Sequence, residues 1–524
     1  MGDVKLRRYR APHWDEPLIM EMGVPGERGM LVPQAGPEVE CVVGGDAVAF
    51  VPESMRRTTP PALPELSQHQ VLRHYLRLSQ ETLGMDLASD ISEGTCTMKY
   101  SPKVHEELVR MPRMAELHPR QDDETLQGLF EIMWGLRRVL RGVSGMDEVS
   151  FHGGGGAHAV YTNACVVRAY HASRGELPQR NEMITTIFSH PCDAGTPATA
   201  GFKVITLMPD EKGYPPLDQL KAAVSERTAG VMMTNPEDTG IYNPNVDKFV
   251  EVVHEAGGLA FTDQANANGI LGIARARDAG FDACHFNLHK TFSSPHGCEG
   301  PAAGMYCCTD QLARFLPRPV LTFDGQTYHL DYDRPDSIGK IRQFFGNVQV
   351  VLKAYAWVLQ MGPQGLREVA EVSVINNNYL DKKLLEIRGV TKPYEEKRRL
   401  DQVRYSLEQL KEETGIGTHE VQDRMVDFGI QSYWMSHHPF IVPEPFTPEP
   451  CETYSREDLD YWAAVIEQAS DEAYAEPETL LRAPHNSSIA KMKRTEAFED
   501  PDEWAMTWRA YRRKRAARKD AADE

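Results

Sequence analysis

Residues 258–297 read GLAFTDQANANGILGIARARDAGFDACHFNLHKTFSSPHG. Two apolar runs stand out, Leu259–Asp263 and Ala283–Asn287. Each is too short for an ordinary helix, and each is apolar enough for a buried strand. Each also ends on a polar side chain, and Lys290 follows the second. Upstream, Val149–Phe151, Met183–Ser189, Phe202–Met208 and Gly230–Thr234 repeat the pattern, separated by helical segments near 157–173, 216–225 and 246–256. That alternation predicts βαβ units and a mostly parallel sheet, an α/β fold. Ligands on such sheets sit beyond the carboxyl ends of the strands, so strand-end residues bear the functional question.

The rest of the chain sets limits. At 524 residues it is long enough for at least two domains and a large core. With 57 Lys and Arg against 76 Asp and Glu the formal charge is −19, which disfavours nucleic acid and anionic membranes as partners. Nine cysteines without a C-x-x-C pair argue against a disulfide framework or zinc ribbon. The opening MGDVKLRRYRAPHWDE has no apolar core of a signal peptide, and no apolar run spans a bilayer, so the expected location is cytoplasmic. Residues 1–66, rich in Pro and Gly, read as an extended arm anchored by Ile19, Met20, Met22, Met30, Leu31 and Val32. A large domain is expected over 67–334, with a helix opened by Ser67 and Gln70 and closed at Gly84, and another running from Leu126 to a stop at Gly142. A smaller domain is expected over 335–500, including an amphipathic helix near 456–475, followed by a basic, flexible tail over 501–524.

Three segments carry chemistry. FHGGGGAHAV (151–160) is a strand, a run of glycines and a helix start; it reads either as a phosphate cradle or as a tight turn without ligand. It matches neither G-x-G-x-x-G nor a P-loop. Asp263 at a strand end is either a helix cap or a carboxylate with a partner. Lys290, between His289 and His296, is either a surface lysine or a nucleophile whose pKa falls on burial. Zinc held by His285, His289 and His296 is disfavoured because neither carboxylate nor cysteine completes a convincing spacing. Taken in order, cradle, strand-end Asp and strand-end Lys are what a pyridoxal-phosphate (PLP) enzyme requires: a Schiff-base lysine and a carboxylate holding the pyridinium proton. Asn235 would then hydrogen-bond the ring hydroxyl, and His190 would stack on the ring.

The motifs go further. The chain resembles the PLP-bearing subunit 2 of glycine decarboxylase, a component of the glycine cleavage system. The resemblance rests on LSQETLGMD (78–86), TCTMKYSPKV (95–104), RAYHASRGE (168–176), TNP (234–236), VHEAGGLAFTDQANANGILGI (253–273), NLHKTFSSPHG (287–297), LDYDRPDSIGKIRQFFGN (330–347), ETGIGTHEVQDRMVDFG (413–429) and APHNSS (483–488). It implies a fold-type-I, aspartate-aminotransferase-like large domain with a smaller α+β domain. It also implies a catalytic set of Lys290, Asp263 and His190, and a cofactor set that adds Gly155, Gly156, Ala157, Asn235 and His289. Thr97, Lys99, Cys298 and Glu299 are candidates for the substrate loop. The implied partners are a homologous subunit 1 and a lipoyl carrier protein, in a homodimer or heterotetramer. Departures from the family pattern cluster near the cofactor. Gly154–Ala157 replaces N-S-G-A, Asp263–Asn266 reads D-Q-A-N for D-G-A-N, Cys298 and Glu299 interrupt a glycine run, and Ser189–Pro197 is rebuilt. The expectation is decarboxylation of a small amino acid, glycine by default. The rivals are a stand-alone relative acting on another amino acid by decarboxylation, aldol-type or elimination chemistry, and a non-catalytic subunit, which Lys290 and Asp263 argue against. Glu299, if it faces the cofactor, predicts weak glycine decarboxylation.

Overall fold

The computed structural model describes residues 4–44, 48–59, 61–84, 87–89, 91, 99–296, 300–430, 435–436, 441–488 and 507–522. The chain forms two compact units, one of Met1–Arg7 with Met85–Leu481, the other of Arg8–Gly84 with Arg482–Glu524.

The larger unit is built on a seven-stranded sheet: β1 (Glu148–Gly153), β2 (Glu182–Thr186), β3 (Lys203–Leu207), β4 (Thr228–Thr234), β5 (Leu259–Asp263), β6 (Ala283–Asn287) and β7 (Gly304–Cys308), in the order β1-β7-β6-β5-β4-β2-β3. Strands β2 to β6 pair in parallel, whereas β7 runs antiparallel to both β6 and β1. Parallel strands covered on both faces need apolar side chains on both. Thus Val231, Met233, Ala260 and Cys284 face one core, and Met232, Leu259, Phe261 and Ala283 face the other.

Helices supply the two covers. Phe130, Met133 and Leu136 of α1 (Gln127–Ser144) pack on the first face, and Val160, Ala164 and Val167 of α2 (Gly156–Ser173) pack on the second. Between later strands lie α3 (Cys192–Thr199), α4 (Leu217–Ala223) and α5 (Val246–Glu255). A long helical run, α6 (Val348–Leu384), joins α1 on the first face through Val350, Ala354 and Trp357 and breaks at Gly362, where φ is 66° ahead of Pro363. Its far end, with Leu380 and Leu384, enters a second core with Tyr405, Phe446 and with Trp462 and Ile466 of α7 (Arg456–Ala475). One expected boundary moves: α1 passes through Gly142 and stops at Gly145, whose left-handed φ of 74° closes it.

In the smaller unit, Ser67 caps the helix Gln68–Gln80 through a reciprocal bond with Gln70, and that helix stops at Gln80, short of Gly84. Buried Glu16 pairs with His74 at 2.9 Å and with Arg77 at 3.1 Å. The basic run expected as a tail lies on the helix Trp508–Ala522. Among the described residues no helix is long and apolar enough to cross a membrane.

Candidate active site

The parallel strands aim their carboxyl ends at one edge, which gathers the turns after β1, β2, β4, β5 and β6. Asp263, the last residue of β5, is 3% exposed. Its Oδ1 accepts the Ala265 N–H at 2.8 Å and lies 3.5 Å from Nδ1 of His285 on β6. The His285 ring stacks on Phe261, 5.8 Å between centroids. Burial lowers its pKa against the pull of Asp263, and neither ring nitrogen has a hydrogen-bond partner.

Lys290 sits three residues past β6 and is 4% exposed. Its turn is fixed from several sides. The Asn287 carbonyl accepts the Lys290 N–H at 3.1 Å, Thr291 Oγ1 accepts the Ala267 N–H at 2.9 Å, and Ser294 Oγ donates to the Val350 carbonyl of α6 at 2.9 Å. Phe292 meets Trp357 edge to face. Such pinning keeps a lysine amine in one place.

One narrow cavity brings Lys290 and Asp263 together with His190, Thr234, Asp238, Asp401 and Gln402. A wider apolar cavity lies between Leu117, Phe130, Met133 and Phe345 and reaches His296, but it holds neither Lys290 nor Asp263. His190 Nδ1 lies 2.9 Å from Cys192 Sγ, and ligand atoms of Cys192, Asp193 and Asp263 all fall within 4.8 Å of one another. Burial first, then the charge of Asp263, pushes the Asp193 carboxyl well above its ordinary value; burial, then Asp193 and Asp263, does the same to the Cys192 thiol. Both shifts disfavour a second negative charge beside Asp263. Burial likewise pushes Asp401 up to about 6, with Lys290 pulling the other way.

Other expected residues fall elsewhere. Asn235 accepts the Asn243 N–H at 2.9 Å and lines a separate cavity with Tyr242, Thr262 and Phe281. Lys99 donates to the Thr291 carbonyl and to Asn268, pairs with Glu452 at 2.9 Å and lies over Trp357, so it clamps the lysine turn from outside the cavity. His289 meets His296 edge to face at 4.5 Å, and burial, reinforced by Lys290 and His296, lowers it to about 2. That imidazole stays neutral. Thr97, Cys298 and Glu299 lie outside the described residues.

Gly155, Gly156 and Ala157 form the start of α2. A side chain on Gly156 would begin 2.8 Å from Asn287 Nδ2, and one on Gly304 would meet the Gly155 carbonyl at 2.3 Å. Glycine is what lets this turn settle onto β6 and β7.

Sequence reasoning missed Asp193, Thr234, Asp238, Asp401 and Gln402. Thr234 was open to discovery as a strand end; the others come from separate turns that only the fold assembles.

No protein-family model matches the chain. It is 42% identical over 506 residues to a protein of Pyrococcus abyssi named probable glycine dehydrogenase (decarboxylating) subunit 2, covering 96% of this chain and 98% of that one. A protein of the same name from Caldanaerobacter subterraneus is 38% identical over 485 residues, 92% and 97% of the two chains. The chain belongs to the glycine dehydrogenase (decarboxylating) subunit 2 family. Its fold is that of fold-type-I PLP enzymes. A solved glycine decarboxylase (P-protein) of the glycine cleavage system superposes with a TM-score of 0.69 at 20% identity, over 84% of this chain and 99% of that one. The cysteine desulfurase CsdA of Escherichia coli gives 0.56 at 14% identity, over 75% and 97%.

As a member of this family the chain is a PLP-dependent, glycine decarboxylase-like enzyme. The residues present fit the group. A helix start with open space beside Gly155 suits a phosphate, unpartnered nitrogens of His285 lie beneath the turn, and Asp263 and Lys290 share one cavity.

Buried acid beside the site has a measurable signature. Glu237 is fully buried; its Oε2 accepts the Thr186 hydroxyl, Oε1 has no partner, and burial raises its pKa from 4.5 to about 8. Below pH 4.5 both folded and unfolded chains are protonated. Between 4.5 and about 8 the unfolded chain loses the proton and the native one keeps it, so stability falls as pH rises and levels off above about 8. Glu237→Gln is therefore expected to gain in Tm over the parent from pH 5 to 9, by the equivalent of a few kcal/mol, on the order of what this linkage carries. A Tm difference that stays flat across that range would refute the buried acid.

Proposed function

We propose that the chain decarboxylates a small amino acid, with glycine the first candidate, alongside a homologous subunit 1 and a lipoyl carrier protein. The observation that carries this reading is the meeting of Lys290 and Asp263 in one narrow cavity at the strand ends. When bound, PLP supplies an electron sink for the pair left behind as carbon dioxide departs. Lys290 presents its amine at the cavity wall as the attachment point. Asp263, fixed by Ala265 and flanked by neutral His285, offers the carboxylate that holds a proton on the ring nitrogen. Asp401, at about 6, can give or take a proton near neutral pH within reach of the same cavity.

The names of the relatives support glycine as the substrate and a second subunit as the partner. A second reading, a different small amino acid carrying an extra hydroxyl or amine, is favoured by Asp401 and Gln402 in the cavity lining. Absorbance of the bound cofactor, followed while single amino acids are added with and without subunit 1 and a lipoyl carrier, separates the two. Glycine-specific spectral change and glycine–bicarbonate exchange are expected. A change with another amino acid and none with glycine would establish the second reading.

A further inference from the structure

We propose that Arg342 is the side chain that clamps the cofactor's phosphate at the start of α2. This rests on the PLP assignment and adds a residue to it. The guanidinium lies directly against the glycine turn: a side chain on Gly154 would begin 2.1 Å from Arg342 Nη1 and 3.1 Å from His158 Nδ1. Lack of a side chain at 154 is what admits the arginine. His158 accepts the Gly154 N–H at 3.2 Å, and burial, followed by the charge of Arg342, lowers its pKa. The neighbour of Arg342 is thus a neutral ring, and among the described residues no carboxylate lies within ion-pair distance of it.

The backbone seats Arg342 there. Gly346, at φ 76°, approaches β1 so closely that a side chain would meet the Phe151 carbonyl at 2.0 Å. Asn347 donates to the Ala302 carbonyl, which ties the same segment to the loop before β7. A half-buried guanidinium and the positive end of an 18-residue helix therefore converge on one spot. Two like potentials so placed repel each other, and an anion between them reverses the sign.

Buried side chains underneath point the same way. Asn287 is 4% exposed, and His285 is fully buried with both nitrogens unpartnered. Both reach Gly156: a side chain there would begin 2.8 Å from Asn287 Nδ2 and 3.4 Å from His285 Nε2. Such atoms are costly to bury without a partner. A phosphate's oxygens can accept from the Asn287 amide N–H and from a ring N–H of His285, the two donors that face Gly156, and the planar fork of arginine matches two more.

The test compares PLP with pyridoxal, which lacks the phosphate, titrated into apoprotein and read by cofactor absorbance. Arg342→Ala is expected to weaken PLP binding about 10- to 100-fold, the range for a hydrogen bond to a charged group, and to leave pyridoxal affinity within about twofold. Inorganic phosphate should compete with PLP in the parent and less in the variant. Gly154→Ala, which keeps the charge but displaces the guanidinium, should weaken PLP in the same direction, and Arg342→Lys should fall between. Equal loss of PLP and pyridoxal affinity would make Arg342 a support of the fold and overturn the proposal. Unchanged PLP affinity with a raised KM for the amino acid would assign Arg342 to the substrate carboxylate instead. A parent protein that takes up no PLP at all would overturn the cofactor reading, and this one with it.

Discussion

Borohydride reduction of the Lys290→Ala variant is expected to yield no pyridoxyl-protein adduct, whereas the parent yields one adduct at that residue. Lys290 is 4% exposed and lines the cavity that also holds Asp263. Its turn is tied to α6 and to the Asp263 loop through Ser294 and Thr291. No other lysine is among the cavity's lining residues. Turnover should fall to background, since a noncovalently held cofactor lacks the amine that receives and releases the substrate. Peptide mapping decides the matter: an adduct on any other lysine would remove Lys290 from its role.

Asp263→Asn should keep PLP bound and lower turnover by about 10²- to 10³-fold. The amide retains the shape and the bond from the Ala265 N–H but cannot hold a proton on the ring nitrogen, and each ~1.4 kcal/mol lost from the transition state costs about tenfold. His285, pressed against Phe261 and kept neutral by burial, offers no substitute charge. Burial and then the adjacent carboxylate push Asp193 well above its ordinary value; removing the Asp263 charge takes away part of the cause, so its pKa should fall in the variant. Near-parental turnover would mark Asp263 as a structural cap.

What could be read without coordinates follows from locality. Leu259–Asp263, Ala283–Asn287 and Arg456–Ala475 fall where the apolar spacing predicts them, because each pattern is complete within its own residues. β7 was invisible. GMYCC is short, poor in β-branched residues, and becomes a strand only because β1 and β6 leave a slot between them. The same distinction governs the site. Asp263 ends a recognisable strand and Lys290 follows another, so position drew attention to both and their order in the chain joined them. Asp193 and Asp401 gain their character first from burial and then from neighbours that the fold brings up, Asp263 for one and the Gly269 backbone for the other, which no spacing encodes. Asn235 shows the converse, a strand-end amide whose bond goes to Asn243 and not into the cavity.

The slot filled by β7 sets the order in which this protein can be completed. β1 stands at the edge of the sheet, and among the described residues its sole strand neighbour is β7, with Glu148 opposite Cys308. Strands β2 to β6 can pair as they leave the ribosome, but β1 must wait until the chain beyond Lys290 has been synthesised. That long-range closure is the slow kind of step in folding. Because Gly304 packs on Gly155, the glycine turn takes its shape only when β7 docks. Cofactor uptake in a refolding experiment should therefore lag behind formation of the parallel strands, and loading with PLP would report that the last strand is in.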